Sequence, residues 1–151
     1  MALPLTDTVL KEKAKTVGAV NGRLRRLIRH MQQTMYALKG VGLAAPQIGE
    51  SIRMFVTGIR QGTTGALIVI NPQLKRVSVE TETMMEGCLS HPGKMLPVER
   101  AKFLEIEYTT PGGKVKTLKA TGFLARVIQH EMDHLDGLTI EQTAKKEETP
   151  K

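Results

Sequence analysis

Tryptophan is absent from this chain, which carries only three phenylalanines, two tyrosines and one cysteine. A lone cysteine cannot close an internal disulfide, and this fits a reducing cytoplasm in which a thiolate survives as a metal ligand. No apolar run approaches the roughly 20 residues of a membrane span. Met1 leads into Ala2-Leu3-Pro4 with neither the basic nor the apolar segment of a secretory signal, so a cytoplasmic protein is expected. Internal repeats and low-complexity tracts are also missing. The net charge is +7, yet aromatics are too few to interleave with the basic residues. A surplus of surface lysines accounts for that charge as well as a nucleic-acid neighbour such as the ribosome does.

At 151 residues and 40% hydrophobic content, the chain suits one domain with a sizeable core. That domain is expected over residues 1–140, with a polar, frayed tail over 141–151. Leu5, Val9 and Leu10 are expected to pack near the start, with Asp7 capping a short turn. From Asn21 to Lys39, apolar residues recur at three- and four-residue steps (Leu24, Leu27, Ile28, Met31, Met35, Leu38), which predicts a long helix capped by Asn21 and stopped by Gly40. Arg23, Arg25, Arg26 and Arg29 crowd its start, against the helix dipole. A solvated face is the default reading of them, and a polyanion contact the alternative.

The middle of the chain reads as strands: Ile52 to Ile59, Ala66 to Asn71, Gln73 to Glu80, Phe103 to Tyr108 and Val115 to Ala120. Gln61-Gly62-Thr63-Thr64-Gly65 and Pro111-Gly112-Gly113 read as turns. Strands in the middle and long helices at the flanks imply an α+β fold, with short antiparallel or mixed sheets around a central helix and a second long helix near the N-terminus.

The central helix carries His130-Glu131-Met132-Asp133-His134, an H-E-x-x-H pattern. On a helix, His130 and His134 lie one turn apart on one face and can grip a single divalent ion. Glu131 can then serve as proton acceptor beside the acidified water. Leu124, Val127, Ile128, Glu131, His134 and Leu135 share one stripe, so the motif continues the face that apolar residues bury. A solvated motif would point the other way. Thr121 is expected to cap the helix and Gly137 to end it.

Two histidines leave a catalytic ion short of one protein ligand. Cys88 is a soft candidate, although a lone cysteine is commonly just a small buried hydrophobe. Asp136 is too close on the same helix turn to swing round easily. Glu141, Glu147 and Glu148 would serve if the chain turned back.

Three segments together carry a resemblance: Gly40-Val41-Gly42-Leu43-Ala44-Ala45-Pro46-Gln47, Glu86-Gly87-Cys88-Leu89-Ser90 and Gln129-His130-Glu131-Met132-Asp133-His134-Leu135. In order and separation they resemble the three signature motifs of the peptide deformylases, over about residues 3 to 140. The resemblance implies Cys88, His130 and His134 as ligands of one divalent metal ion. Fe²⁺ is the native metal it implies, with Zn²⁺, Ni²⁺ or Co²⁺ able to occupy the site. It implies an enzyme that removes the formyl group from N-formyl-methionyl peptides and nascent chains, releasing formate. Glu131 is then the proton shuttle, with the Gln47 amide and the Leu89 N–H stabilising the formyl oxygen. Val41, Gly42 and Gly87 border the bound peptide, and Phe123 and Val127 line the slot for the methionine side chain. Glu86 pairs with Arg100 to brace the motif strand.

Three departures stand out. Lys94 only partly replaces an arginine that many members carry after the cysteine motif. Arg126 stands on the helix face where an apolar residue is usual, and is expected to narrow the slot or alter preference at the second substrate residue. The chain also ends soon after the metal helix, which resembles compact forms without the extended C-terminal helix associated with ribosome contact. A monomer is expected, with ribosome proximity but no such docking helix. The alternatives are a zincin-type metallopeptidase and a catalytically silent protein that binds peptide termini on the same scaffold.

Overall fold

The computed structural model describes residues 7–60 and 63–144. Leu5, Glu147, Glu148 and the first two residues of the expected 61–65 turn lie outside them. The elements are α1 (Gly22–Ala37), β1 (Gly42–Ala44), β2 (Met54–Arg60), β3 (Thr63–Val77), β4 (Thr81–Cys88), β5 (His91–Ala101), β6 (Phe103–Thr109), β7 (Val115–Thr121), α2 (Gly122–Leu135) and α3 (Ile140–Thr143). Short 3₁₀ turns stand at Thr8–Lys11 and Ala45–Ile48. The fold is α+β, as expected.

Five strands form one sheet in the order β1-β2-β3-β6-β7, and β4 pairs with β5 as a separate hairpin. Every pairing between these strands is antiparallel. The five-stranded sheet divides two apolar layers, and period-2 alternation decides which side chain joins which. Phe55, Val69, Leu104 and Ile106 face Leu124, Ala125, Ile128 and Leu135 of α2. Met54, Val56 and Ile70 face Leu24, Ile28, Met31 and Met35 of α1. The run Met54-Phe55-Val56 is apolar without a break because both faces of β2 are covered.

Several expected boundaries move. Ala66 to Asn71 and the first part of Gln73 to Glu80 belong to one strand, β3, which ends at Val77. The Asn71-Pro72 step suggests a break, and the ladder does shift register there, between Ile70 and Gln73. Asn71 adopts a φ of 50°, and its side chain bonds both the N–H and the carbonyl of Val17. The β4–β5 hairpin escapes the sequence reading because its strands are too exposed to alternate cleanly.

Asn21 caps α1 as expected, accepting from the Leu24 N–H. The stop differs: Lys39, not Gly40, takes the left-handed conformation, with φ 57°. The Lys39 N–H bonds Tyr36 O and the Gly40 N–H bonds Met35 O, which closes the helix. Gly40 is small for another reason, since a Cβ there would stand 2.5 Å from Leu89 Cδ1. At the far end of α2, Gly137 has φ 76° and lies against the backbone of Lys11, so both turn geometry and space require glycine. The chain stays ordered past 140. The Gln142 side chain caps Thr139 N–H, and Ala144 bridges to Val98. No helix among the described residues is long and apolar enough to cross a membrane.

Candidate active site

α2 is buried on nearly all sides, Arg126 and His130 included. One face closes the core over the five-stranded sheet. Another looks into a cavity of about 750 Å³ between β1, the β4–β5 hairpin and α2. Val41, Gly42, Gln47, Gly87, Cys88, Leu89, Phe123, Val127, His130 and Glu131 all line it.

Three donors converge beside it, two of them, Cys88 and His130, on its lining. Cys88 Sγ, His130 and His134 each offer an atom within 4.8 Å of the other two. Cys88 Sγ stands 3.4 Å from His134 Nε2. Ligands at about 2.0–2.3 Å around a tetrahedral ion stand roughly 3.5 Å apart, so the set fits a single divalent cation. One thiolate and two imidazoles form a borderline-soft set suited to several first-row metals. Electrostatics point the same way. In the metal-free cluster, burial together with the positive charge of His130 and Arg100 lowers His134 to about 3. Burial also opposes charge on His130, but Glu131, Cys88 and Glu86 together raise it to about 10. Two imidazoles this close do not both hold protons, whereas one cation can serve both in neutral form.

His130 is oriented from behind. His130 Nδ1 lies 3.0 Å from Glu86 Oε1, which fixes the proton on Nδ1 and leaves Nε2 as the donor atom. Glu86 also takes a two-pronged contact from Arg100, with Nε and Nη2 each at 3.0 Å, and a bond from Arg126 Nη1. Arg100 in turn pairs with Asp133, one turn along α2 from His130. Burial alone would raise the Glu86 carboxyl, but His130 and Arg100 hold it down from 4.5 to about 2. Glu86 is therefore the centre of a buried charge cluster and more than a brace for one strand.

Glu131 sits beside the donors and is only 3% exposed. Burial pushes its carboxyl up to about 7. Its Oε1 has no protein hydrogen-bond partner among the described residues. A buried carboxylate with a spare oxygen and a pKa near neutrality suits general-base work. Gly42 makes room for it: a Cβ there would stand 2.6 Å from Glu131 Oε2. Across the cavity, Gln47 is locked by its own oxygen, which accepts from Ala44 N–H at 2.9 Å. That fixes the amide so that Nε2 points to Cys88 Sγ at 3.6 Å and Ser90 Oγ at 3.1 Å.

Arg126 also borders the cavity. Its guanidinium turns under the hairpin and donates to Glu86, to Val98 O and to Glu82 O. Two backbone carbonyls and a carboxylate satisfy a charge that has no place in an apolar slot. Phe123 is half exposed at the rim rather than packed in the core, whereas Val127 is buried. The other third-ligand candidates are elsewhere: Asp136 pairs with Arg53, and Glu141 lies 3.2 Å from His91 Nδ1. Sequence reasoning passed over Ser90 and Asp133 as site residues. Asp133 left a signal, being an acid at i+3 from His130 on the same helix.

The chain matches the polypeptide deformylase family model over residues 3–149. It is 47% identical over 136 residues to a peptide deformylase of Microchaete diplosiphon, covering 89% of this chain and 73% of that one. A relative from Dictyoglomus thermophilum is 44% identical over 147 residues, 94% of both chains. Among solved structures, peptide deformylase from Thermotoga maritima superposes with a TM-score of 0.92 at 38% identity, over 97% of each chain. The enzyme from Acinetobacter baumannii with Met-Ala-Ser bound gives 0.89 at 33% identity, over 94% of this chain and 96% of that one.

Proposed function

The chain belongs to the polypeptide deformylase family and removes the N-formyl group from the N-terminal formyl-methionine of new polypeptides; from that premise we propose which of its side chains do so. Cys88, His130 and His134 hold one divalent metal ion, with Fe²⁺ as the native ion and Zn²⁺, Ni²⁺ or Co²⁺ as substitutes. Such an ion supplies a Lewis acid that polarises the formyl carbonyl and brings the pKa of a water to near neutrality. Glu131 takes the proton from the attacking water and delivers it to the departing amine nitrogen, which leaves formate and a free N-terminus. Its burial, spare oxygen and raised pKa support that role.

Charge builds on the formyl oxygen as the carbon becomes tetrahedral. Gln47 Nε2 and the Leu89 N–H donate to it, and one such donor is worth about 3 kcal/mol of barrier. The locked Gln47 amide supports this, since a donor held in advance costs no reorganisation. Val41, Gly42 and Gly87 present backbone to the peptide, while Val127 and Phe123 bound the methionine slot, Val127 at the wall and Phe123 at the mouth. Arg126 acts behind that slot through Glu86. We take the working form to be a cytoplasmic monomer acting on nascent chains.

One observation carries this reading: a cysteine sulfur and two imidazoles within 4.8 Å of one another beside a buried carboxyl group. The test is formate release from formyl-Met-Ala-Ser under argon by metal-replete protein. Wild type releases formate and loses activity in air as Fe²⁺ and the thiolate oxidise. Cys88→Ala loses both metal and activity, while Glu131→Ala keeps metal and loses activity. A Cys88→Ala protein that still binds metal and turns over would favour a zincin-like ligand set. Metal-replete wild type that releases no formate would leave a silent binder of peptide termini.

A further inference from the structure

The net positive charge of this chain falls in one part of it. Between residues 8 and 48 there are eight lysines and arginines and a single acid, Glu12. Everywhere else basic and acidic residues balance, so this quarter of the chain holds the whole net charge of +7. Half of those eight are arginines in the first two turns of α1. Arg23, Arg25, Arg26 and Arg29 are all exposed, on the face opposite Leu24, Ile28, Met31 and Met35. None has an acidic partner among the described residues, and α1 contains no Asp or Glu.

This arrangement works against the helix. Positive charge at the amino end opposes the macrodipole, and Arg25–Arg29 and Arg26–Arg29 are like-charge pairs at i,i+4 and i,i+3. A solvated face needs no such concentration, because lysines and glutamates mixed along it would serve. From this clustering we propose that the arginine face of α1 docks on the phosphate backbone of double-helical RNA.

Other polyanions fit less well. A membrane-surface helix needs an apolar face for the lipid, and that face of α1 is already filled by Met54, Val56 and Ile70. The first exposed large hydrophobe along α1 is Tyr36, beyond the arginines. A protein partner would want an aromatic or aliphatic anchor at the centre of the patch, and none is there. Phosphate contacts need neither, and four guanidinium forks suit them. The choice of RNA over DNA rests on the deformylase activity, since nascent chains emerge from an RNA-rich particle. The face also has a useful position. α1 is 16 residues long, about 24 Å, and the chain just past its end, Leu38 to Gly40, lines the cavity. RNA held at the amino end would leave the cavity mouth open.

The test uses the full chain and a fluorescein-labelled 20-base-pair RNA hairpin, read by anisotropy between 50 and 200 mM KCl. Four phosphate contacts predict a slope of log K against log salt near −3.6, from about 0.9 per contact. Affinity should then fall by more than tenfold across that range. The R23Q/R25Q/R26Q/R29Q variant should bind at least tenfold more weakly at 50 mM KCl. A control that removes four charges elsewhere, K102Q/K114Q/K116Q/K119Q, should stay within twofold of wild type. Formate release from a short formyl peptide should be unchanged in both, so failure here is distinct from failure of the hydrolytic reading. If the quadruple variant does not fold, R23Q/R26Q and R25Q/R29Q carry the comparison. No binding at 50 mM KCl, equal weakening by the control, or capture on 7:3 phosphatidylcholine–phosphatidylglycerol vesicles in preference to RNA would each overturn the proposal.

Discussion

Replacing Glu86 by Gln should damage the protein twice, and the two losses can be measured apart. Glu86 is 7% exposed and receives Arg100, Arg126 and His130 at once. Glutamine keeps the shape but removes the negative charge and puts an NH₂ donor where these donors point. Arg100 keeps Asp133 and Arg126 keeps two carbonyls, so the cations are not stranded altogether. Breaking a buried pair commonly costs about 3–5 kcal/mol, and this partial compensation argues for the lower end. Protonation gives an independent figure. A carboxyl held from 4.5 down to about 2 is worth on the order of 3 kcal/mol at about 1.4 kcal/mol per pH unit. Its folded pKa is depressed, so the contribution is complete above about pH 4.5 and is lost as pH falls toward 2. Urea melts of chelator-stripped protein at pH 7 should show wild type about 3 kcal/mol more stable than the variant. The gap should close as pH falls from 4.5 toward 2. Separately, His130 loses its orienting carboxylate, so competition with a chelator should give metal affinity ~10–100-fold weaker. A stability loss under 1 kcal/mol with unchanged metal affinity would refute the view of Glu86 as the centre of the cluster.

Other expectations are briefer. Glu131→Gln should abolish formate release yet stabilise metal-free protein at pH 8.5 relative to pH 4, because burial raises the carboxyl to about 7; that contribution is intact below 4.5 and lost as pH rises through 7, on the order of 3 kcal/mol by urea melts. Gly42→Ala should cut kcat by ~100-fold or more with a stability cost of about 1–3 kcal/mol, since the new methyl meets Glu131 Oε2 at 2.6 Å; a kcat within threefold of wild type would contradict it. Gln47→Ala should lower kcat ~100-fold while leaving metal content, measured by elemental analysis, at one ion per chain. Arg126→Met should destabilise by a few kcal/mol without changing discrimination between alanine and larger second residues in a peptide panel; a shift in that preference would restore the slot reading.

How much of this was legible beforehand depended on the range of the signal. The H-E-x-x-H helix could be read because its spacing is local and its apolar stripe is continuous through Glu131 and His134. The α1 helix and its Asn21 cap could be read for the same reason. Cys88 and Gln47 carry no such mark, as neither a lone cysteine nor a glutamine shows from sequence which helix it will face. Ligand softness made Cys88 one candidate among several, and the resemblance joined it and Gln47 to the histidines, 42 residues beyond Cys88 in the case of His130. The β4–β5 hairpin stayed hidden because β4 is exposed along most of its length, so hydrophobic alternation had little to report.

The partners of Arg126 were hidden for a more general reason. Sidedness on a helix gives the direction in which a Cα–Cβ bond leaves, and for a short apolar residue that direction is also its destination. An arginine reaches several bonds further, and its head goes where acceptors are. Here those are Glu86 and the carbonyls of Glu82 and Val98, beneath the hairpin. The same acceptor, Glu86, orients His130 and anchors Arg100. Arg126 is thus tied to His130 through one shared carboxylate. In a buried cluster of this kind each charge is tolerated only because the others are present. Substitution at Arg126 should therefore be felt at His130 before it is felt by the substrate.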